Sequence, residues 1–326
     1  MSSTYRRILA MLAIACLTFG VAACGGDDDG DKSSSDSPPA AEGKAIKSDP
    51  ANASKGTITV GSKNFTEQFI LGEVYSQTLE AQGFKVQRRL NLGSEQVAYK
   101  ALKGGSIDMY PEYTGTALTS FFKVKTADVP KEPDAAYALA KENYTRNAIT
   151  ALERTPFQNT FIIASTKETA EKAGNPKTVS ELMAKNPNLS ISGFPECRQR
   201  QDCLLGLQDT YGFKGKFVSS EGKFNDLDGG QSDLTLAFST DPQLALTDKY
   251  TAYEDDKKFF PPYNISLGIR DATVKKIGPE AVTILESVQE KMTEEVMREL
   301  NRRVELDKQQ PRKVAADYLK EEGFVE

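Results

Sequence analysis

Histidine and tryptophan are absent from the 326 residues. Without histidine, Ser-His-Asp triads, Cys-His pairs and His-ligated metal sites are excluded. Acid–base chemistry would have to run on Asp, Glu, Lys or Tyr, which disfavours an enzyme without excluding one. Without tryptophan, recognition by aromatic faces falls to the 12 Tyr and 16 Phe. An excess of basic residues is also missing: 41 Lys and Arg stand against 46 Asp and Glu. No basic stripe is offered to nucleic acid. Beyond the first two dozen residues, no apolar run is long enough to cross a bilayer.

The N-terminus carries a compartment signal. Arg6 and Arg7 precede an apolar stretch from Ile8 to Ala23, broken only by Thr18 and Gly20. Its 16 residues are short for a membrane span and suit the core of an export signal. Val21-Ala22-Ala23-Cys24 then resembles the lipobox of bacterial lipoproteins, which implies a signal peptide over 1–23 and lipidation at Cys24. The alternatives are a plain signal peptide or an uncleaved anchor. Residues 25–55 are rich in Gly, Asp, Ser, Pro and Ala, with Ile46 as the one large apolar side chain. Such a segment buries too little apolar area to offset its ordering entropy. Residues 24–55 are therefore expected to form a disordered tether, spanning roughly 30 Å as a flexible coil.

The folded body is expected from Gly56 onward, with length for two domains. Strand patterns at Thr57–Gly61, Lys85–Leu90 and Ile107–Tyr110 alternate with helices at Glu67–Gln82 and from Ser94 to Lys103. Further strands are read at Phe161–Ser165, Leu189–Gly193 and Leu234–Phe238, and helices at Val179–Ala184 and Leu204–Tyr211. Three helices close the chain: Glu280–Lys291, Glu294–Leu306 with Thr293 as its cap, and Pro311–Glu322. The order predicts an α/β fold built on largely parallel sheets, in two lobes with a cleft between them. Ligands bind such sheets beyond the carboxyl ends of the strands.

Five motifs carry a more specific reading. They are Val60-Gly61-Ser62-Lys63-Asn64-Phe65-Thr66-Glu67-Gln68, Asn91-Leu92-Gly93-Ser94, Asp108-Met109-Tyr110-Pro111-Glu112-Tyr113-Thr114-Gly115-Thr116, Ala237-Phe238-Ser239-Thr240-Asp241, and the run from Glu254 to Tyr263 that ends Pro261-Pro262-Tyr263. In order and spacing they resemble the glycine betaine/choline (quaternary amine) substrate-binding proteins of ABC importers, the ProX/OpuAC-like type. The resemblance runs from about Thr57 to the C-terminus. It implies a type II-like, two-lobed periplasmic-binding-protein fold with two crossover hinge segments: lobe 1 from 56–158 and 261–326, lobe 2 from 159–260. It also implies a membrane permease as partner.

By the same resemblance, Tyr113, Phe161, Phe238 and Tyr263 form an aromatic cage for a trimethylammonium head. Lys63, Thr116 and Arg200 hold a carboxylate tail, and Asn159 turns a backbone carbonyl to the head. Phe161 and Phe238 depart from the family pattern, where tyrosine is usual. The physics agrees with this division. A quaternary ammonium has no N–H to donate, but an aromatic face attracts it by ~2 kcal/mol or more once desolvated. A guanidinium fork and an ammonium suit a carboxylate. Choline is expected to bind less well than a betaine, because its neutral hydroxyl would leave both cations unpaired.

The bland alternatives are core aromatics and solvated surface cations, and Arg198 and Arg154 compete with Arg200 for the anionic tail. Cys197 and Cys203, in an exported chain, are expected to form a disulfide worth ~2 kcal/mol, the alternative being two free thiols. Two cysteines without histidine leave a zinc shell unfilled, so no metal or other cofactor is expected. The resulting expectation is a monomeric solute-binding lipoprotein. Rival readings are the same fold with choline, carnitine or an amino acid, an enzyme on that fold, and a purely structural lipoprotein.

Overall fold

The computed structural model describes residues 45–326. The export-signal region 1–23 and Cys24 lie outside the described residues. Ten strands run in chain order: β1 (Thr57–Gly61), β2 (Lys85–Arg89), β3 (Met109–Tyr113), β4 (Ile149–Ala151), β5 (Phe161–Thr166), β6 (Ile191–Gly193), β7 (Phe217–Ser219), β8 (Leu234–Phe238), β9 (Tyr250–Tyr253) and β10 (Ile265–Arg270). They form two five-stranded sheets, ordered β2-β1-β3-β10-β4 and β7-β6-β8-β5-β9.

Neither sheet is largely parallel, contrary to the reading from alternation. β1 runs parallel to β2 and β3, but β10 lies antiparallel between β3 and β4. Likewise β6 runs parallel to β7 and β8, while β5 lies antiparallel between β8 and β9. A helix-strand alternation fixes strand direction only where a crossover helix joins neighbours. Here the chain leaves the first sheet after β4, builds the second, and comes back at β10. The outbound and return segments pair with each other, as Gln158 bridges Asn264 and the Asn159 N–H donates to the Tyr263 carbonyl at 3.0 Å.

The folded part begins before Gly56, which corrects the tether boundary. Ile46 packs against the core, and its N–H donates to the Phe324 carbonyl at 2.8 Å. Pro50–Lys55 forms a 3-10 helix whose start is capped by Asp49, and Asn52 donates to the Gln82 carbonyl at 2.7 Å. One apolar side chain plus backbone pairing is enough to order a short polar segment against a surface that already exists. Gly83 makes the contact possible: at φ +92° it turns the chain tightly, and a Cβ there would strike the Asp49 carbonyl.

Helix α1 (Thr66–Ala81) is buried nearly all round, between the first sheet and the C-terminal helices. Ile70, Leu71, Val74, Tyr75 and Leu79 are fully buried; each aliphatic side chain contributes roughly 1.5–3 kcal/mol by leaving water. Phe69, on the same helix, is only half-buried and faces the cleft. Helix α2 (Glu95–Lys103) starts at Ser94, but the Ser94 hydroxyl makes no capping bond. Thr293 does cap its helix, accepting from the Val296 N–H at 3.2 Å.

Candidate functional site

The loops at the carboxyl ends of β1, β3, β6 and β8 converge with both crossing segments on one cavity of about 640 Å³. Lys63, Tyr113, Thr116, Asn159, Phe161, Arg200, Phe238 and Tyr263 all line it. Sheet register sets two of these neighbourhoods. Phe161 opens β5 directly opposite Phe238, the last residue of β8. Tyr113 ends β3 opposite Ile265, two residues past Tyr263. Gly115 lets the return segment come close, since a Cβ there would lie 2.7 Å from the Pro262 carbonyl and 2.8 Å from the Tyr263 ring.

The rings touch one another. Phe161 lies 5.4 Å from Phe238 and 5.2 Å, edge-on, from Tyr263. Two further phenylalanines join them. Phe65 is near-parallel to both Tyr113 at 6.2 Å and Phe238 at 5.7 Å, and Phe194 is near-parallel to Phe161 at 5.8 Å. Protein cations already lie against these faces. Lys63 Nζ is 4.4 Å from the Tyr113 centroid, Arg200 Cζ 5.7 Å from Phe161, and Lys223 Nζ 5.0 Å from Phe238. The wall is thus chemically suited to positive charge.

Each of these cations has an internal carboxylate. Lys63 pairs with Glu112, which also accepts from the Tyr110 hydroxyl at 3.0 Å. Arg200 is held by Asp202 through two bonds, and Glu95 lies 3.6 Å away. Lys223 pairs with Asp241 at 2.5 Å. The expectation that choline would strand Lys63 and Arg200 unpaired is therefore corrected: both are paired with carboxylates of the protein itself. Burial alone would raise the Asp202 carboxyl; the Arg200 charge and hydrogen bonds overcome it and hold the carboxyl below its ordinary range. Of the competing arginines, Arg154 pairs with Asp134 and Arg198 lies over Phe217 at 5.0 Å; neither lines the cavity.

Thr116 is buried in the short helical turn after β3. The Asn159 side chain turns away from the cavity to donate to Glu67 Oε1 at 2.8 Å. Cys197 and Cys203 are bonded, fully buried, and enclose Arg200 and Asp202 in one small loop. Sequence reasoning left Glu67 and Glu112 unassigned, although both stand in the motifs that carry Lys63 and Tyr113. It missed Phe65, Phe194, Lys223 and Asp202. Phe65 and Asp202 lie two residues from Lys63 and Arg200, so adjacency was the available signal; Phe194 and Lys223 had none. Burial pushes the Glu67 carboxyl up, against the opposing pull of its hydrogen-bond donors.

Two α/β sheets joined by paired crossing segments, with one cavity walled by loops from both, define a bilobal solute-binding protein. The family model "substrate binding domain of ABC-type glycine betaine transport system" matches residues 56–321, and the chain belongs to that family. It is 31% identical over 82% of its length to the ergothioneine transport permease/ergothioneine binding protein of Helicobacter pylori, of which it spans about half, 48%. It is 29% identical to a glycine-betaine-binding protein of Pseudomonas aeruginosa, over 83% of this chain and 89% of that one. A solved glycine betaine/carnitine/choline ABC transporter structure superposes with a TM-score of 0.66 at 26% identity, covering 81% of this chain and 98% of the other.

Proposed function

We propose that the chain captures a quaternary ammonium zwitterion, glycine betaine or a related betaine, in this cleft and delivers it to an ABC permease. One observation carries the reading: six aromatic rings in contact with one another, Phe65, Tyr113, Phe161, Phe194, Phe238 and Tyr263, line a single cavity together with Lys63 and Arg200, and both sheets supply them. Tyr113, Phe161, Phe238 and Tyr263 are assigned to the head group, with Asn159 offering its backbone carbonyl. Lys63, Thr116 and Arg200 are assigned to the tail. The lobes are taken as 56–158 with 261–326, and 159–260. We assign no catalytic role and no cofactor. The protein works as a monomer at the outer face of the cell membrane, held there through lipidated Cys24.

The ligands named for the relatives (glycine betaine, carnitine, choline and ergothioneine) all carry a trimethylammonium group. A cavity of about 640 Å³ leaves room for a betaine longer than glycine betaine. The charge pairing favours a second reading as well. With Lys63 held by Glu112 and Arg200 by Asp202, a net cation such as choline loses nothing by lacking a carboxylate. A thermal-shift panel of betaines, carnitine, choline, ectoine and amino acids tests both. A ligand at a hundred times its dissociation constant should stabilise the fold by about 2.7 kcal/mol. Stabilisation by amino acids alone would overturn the quaternary-ammonium reading.

A further inference from the structure

Glu67, the second residue of α1, is buried behind the cavity wall and does not itself line it. Its Oε1 accepts from the Tyr113 hydroxyl and from Asn159 Nδ2, both at 2.8 Å. Its Oε2 accepts from Thr240 Oγ1 at 2.6 Å and Asn301 Nδ2 at 3.1 Å. The four donors come from four separate stretches: the end of β3, the outbound crossing segment, the loop after β8, and the helix Glu294–Glu305. All four are neutral. Among the described residues, Lys63, Arg200 and Lys223 each form an ion pair with another carboxylate, and Glu67 forms none. An anion taken out of water without a counter-charge is costly, and hydrogen bonds offset only part of that cost.

We propose that Glu67 is a positioning residue of the binding site: its carboxylate fixes the Tyr113 ring and acts as counter-charge to the ammonium of a bound solute. The inference rests on the quaternary-ammonium reading above. A phenol that donates to a carboxylate has a more electron-rich ring, and its face attracts a cation more strongly. The anion behind the ring adds direct attraction, weakly screened because Glu67 and Tyr113 are both buried. Among the described residues no other wall ring has this arrangement with an acid free of its own cation: the Tyr263 hydroxyl donates to Asp202, which Arg200 neutralises, and the Tyr250 hydroxyl to Asp228, which pairs with Lys249. Glu67 thus supplies charge selectivity without touching the ligand.

The test uses the exported protein and two ligands of one shape, glycine betaine and its carbon isostere 3,3-dimethylbutanoate, with dissociation constants measured directly or by competition. Glu67→Gln keeps the side-chain shape. Asn159 Oδ1 is buried without a hydrogen-bond partner and its Nδ2 bonds Glu67, so this amide can turn over to accept from a new amide nitrogen at the Oε1 position, while Asn301, held also by the Thr240 carbonyl, goes on donating to the remaining oxygen. The expected result is about a tenfold or greater fall in the preference for betaine over isostere. A merely structural role would weaken both ligands equally and leave the preference unchanged, which overturns the inference; so does no change in either. Tyr113→Phe, which keeps the ring and removes the link to Glu67, should lower the same preference by a smaller factor. If Glu67→Gln does not fold, an unchanged preference in Tyr113→Phe is the overturning result. Wild-type protein that binds no quaternary ammonium would sink the functional reading and this inference with it. Wild-type binding with unchanged preference in the variants would sink this inference alone.

Discussion

Asp202 grips the Arg200 guanidinium through two parallel bonds, Nε to Oδ1 at 2.9 Å and Nη2 to Oδ2 at 2.6 Å. The fork that would bind a ligand carboxylate is therefore half spent inside the protein. Asp202→Asn removes the competing charge and leaves Arg200 short of a partner. The expected outcome is a rise of about tenfold in the ratio of choline to glycine betaine dissociation constants, equal to about 1.4 kcal/mol. Calorimetric titration of both ligands against both proteins reads it directly; an unchanged ratio would remove Arg200 from tail recognition.

Phe161 and Phe238 face each other across β5 and β8, yet they differ in burial: Phe161 is 4% exposed and Phe238 is half-buried. Truncation should separate the two roles. Phe238→Ala is expected to weaken quaternary-ammonium binding by ~1–2 kcal/mol with little loss of stability. Phe161→Ala should weaken binding and also cost ~3–5 kcal/mol of folding free energy, because it opens a cavity in the core. Urea unfolding beside binding titration distinguishes these outcomes.

The Cys197–Cys203 bond closes the loop that presents Arg200 and Asp202. Replacing both cysteines by serine is expected to cost ~2 kcal/mol, by the loop-closure argument. For a body of this size that is a melting-temperature drop of about 4–8 °C. Affinity for carboxylate-bearing ligands should fall further than affinity for choline. Equal loss for both would mean that the loop supports the fold without setting the clamp.

The first three strands, α1, α2 and the C-terminal helices were legible because each repeats an apolar period over enough residues to register. β4, β7, β9 and β10 were not read; β4 and β7 span three residues each, and β6, equally short, was found only because it sits in the longer alternating run Leu189–Gly193. Strand direction was hidden for a different reason: β10 pairs β3 across 150 residues of chain, and no local pattern encodes that. The site followed the same rule. Lys63, Tyr113, Arg200 and Tyr263 could be named from motifs, and the cavity brings them together. Their partners Glu112 and Asp202 lay within or beside those motifs, but pairing is a three-dimensional fact. The tether boundary failed because composition alone does not reveal that Ile46 and Asn52 find partners on a surface built by Gln82 and Phe324.

Acid should destabilise the fold through carboxylates held below their ordinary range. The hydrogen bond from Arg302, reinforced by Arg303, holds the Glu299 carboxyl at about 2, and Asp202 is lowered as well. In both cases the unfolded chain takes up the proton first as pH falls. Their stabilisation is present above the unfolded value of about 4 and is lost toward the folded value. Glu67 is raised and acts oppositely, its contribution declining as pH rises through its folded value. Urea midpoints between about pH 4.5 and 2 should fall less steeply in Glu299→Gln than in wild type. The difference will be modest, because the pair is partly exposed to solvent.

The most direct measurement is a calorimetric series of glycine betaine, dimethylglycine and sarcosine against the wild-type protein. Each lost methyl removes a contact with the ring faces, worth ~0.8 kcal/mol, and creates an N–H that those faces cannot satisfy. Recognition of a methylated cation by Tyr113, Phe161, Phe238 and Tyr263 requires affinity to fall by about tenfold or more at the first demethylation and again at the second. Dimethylglycine binding as tightly as glycine betaine would contradict it.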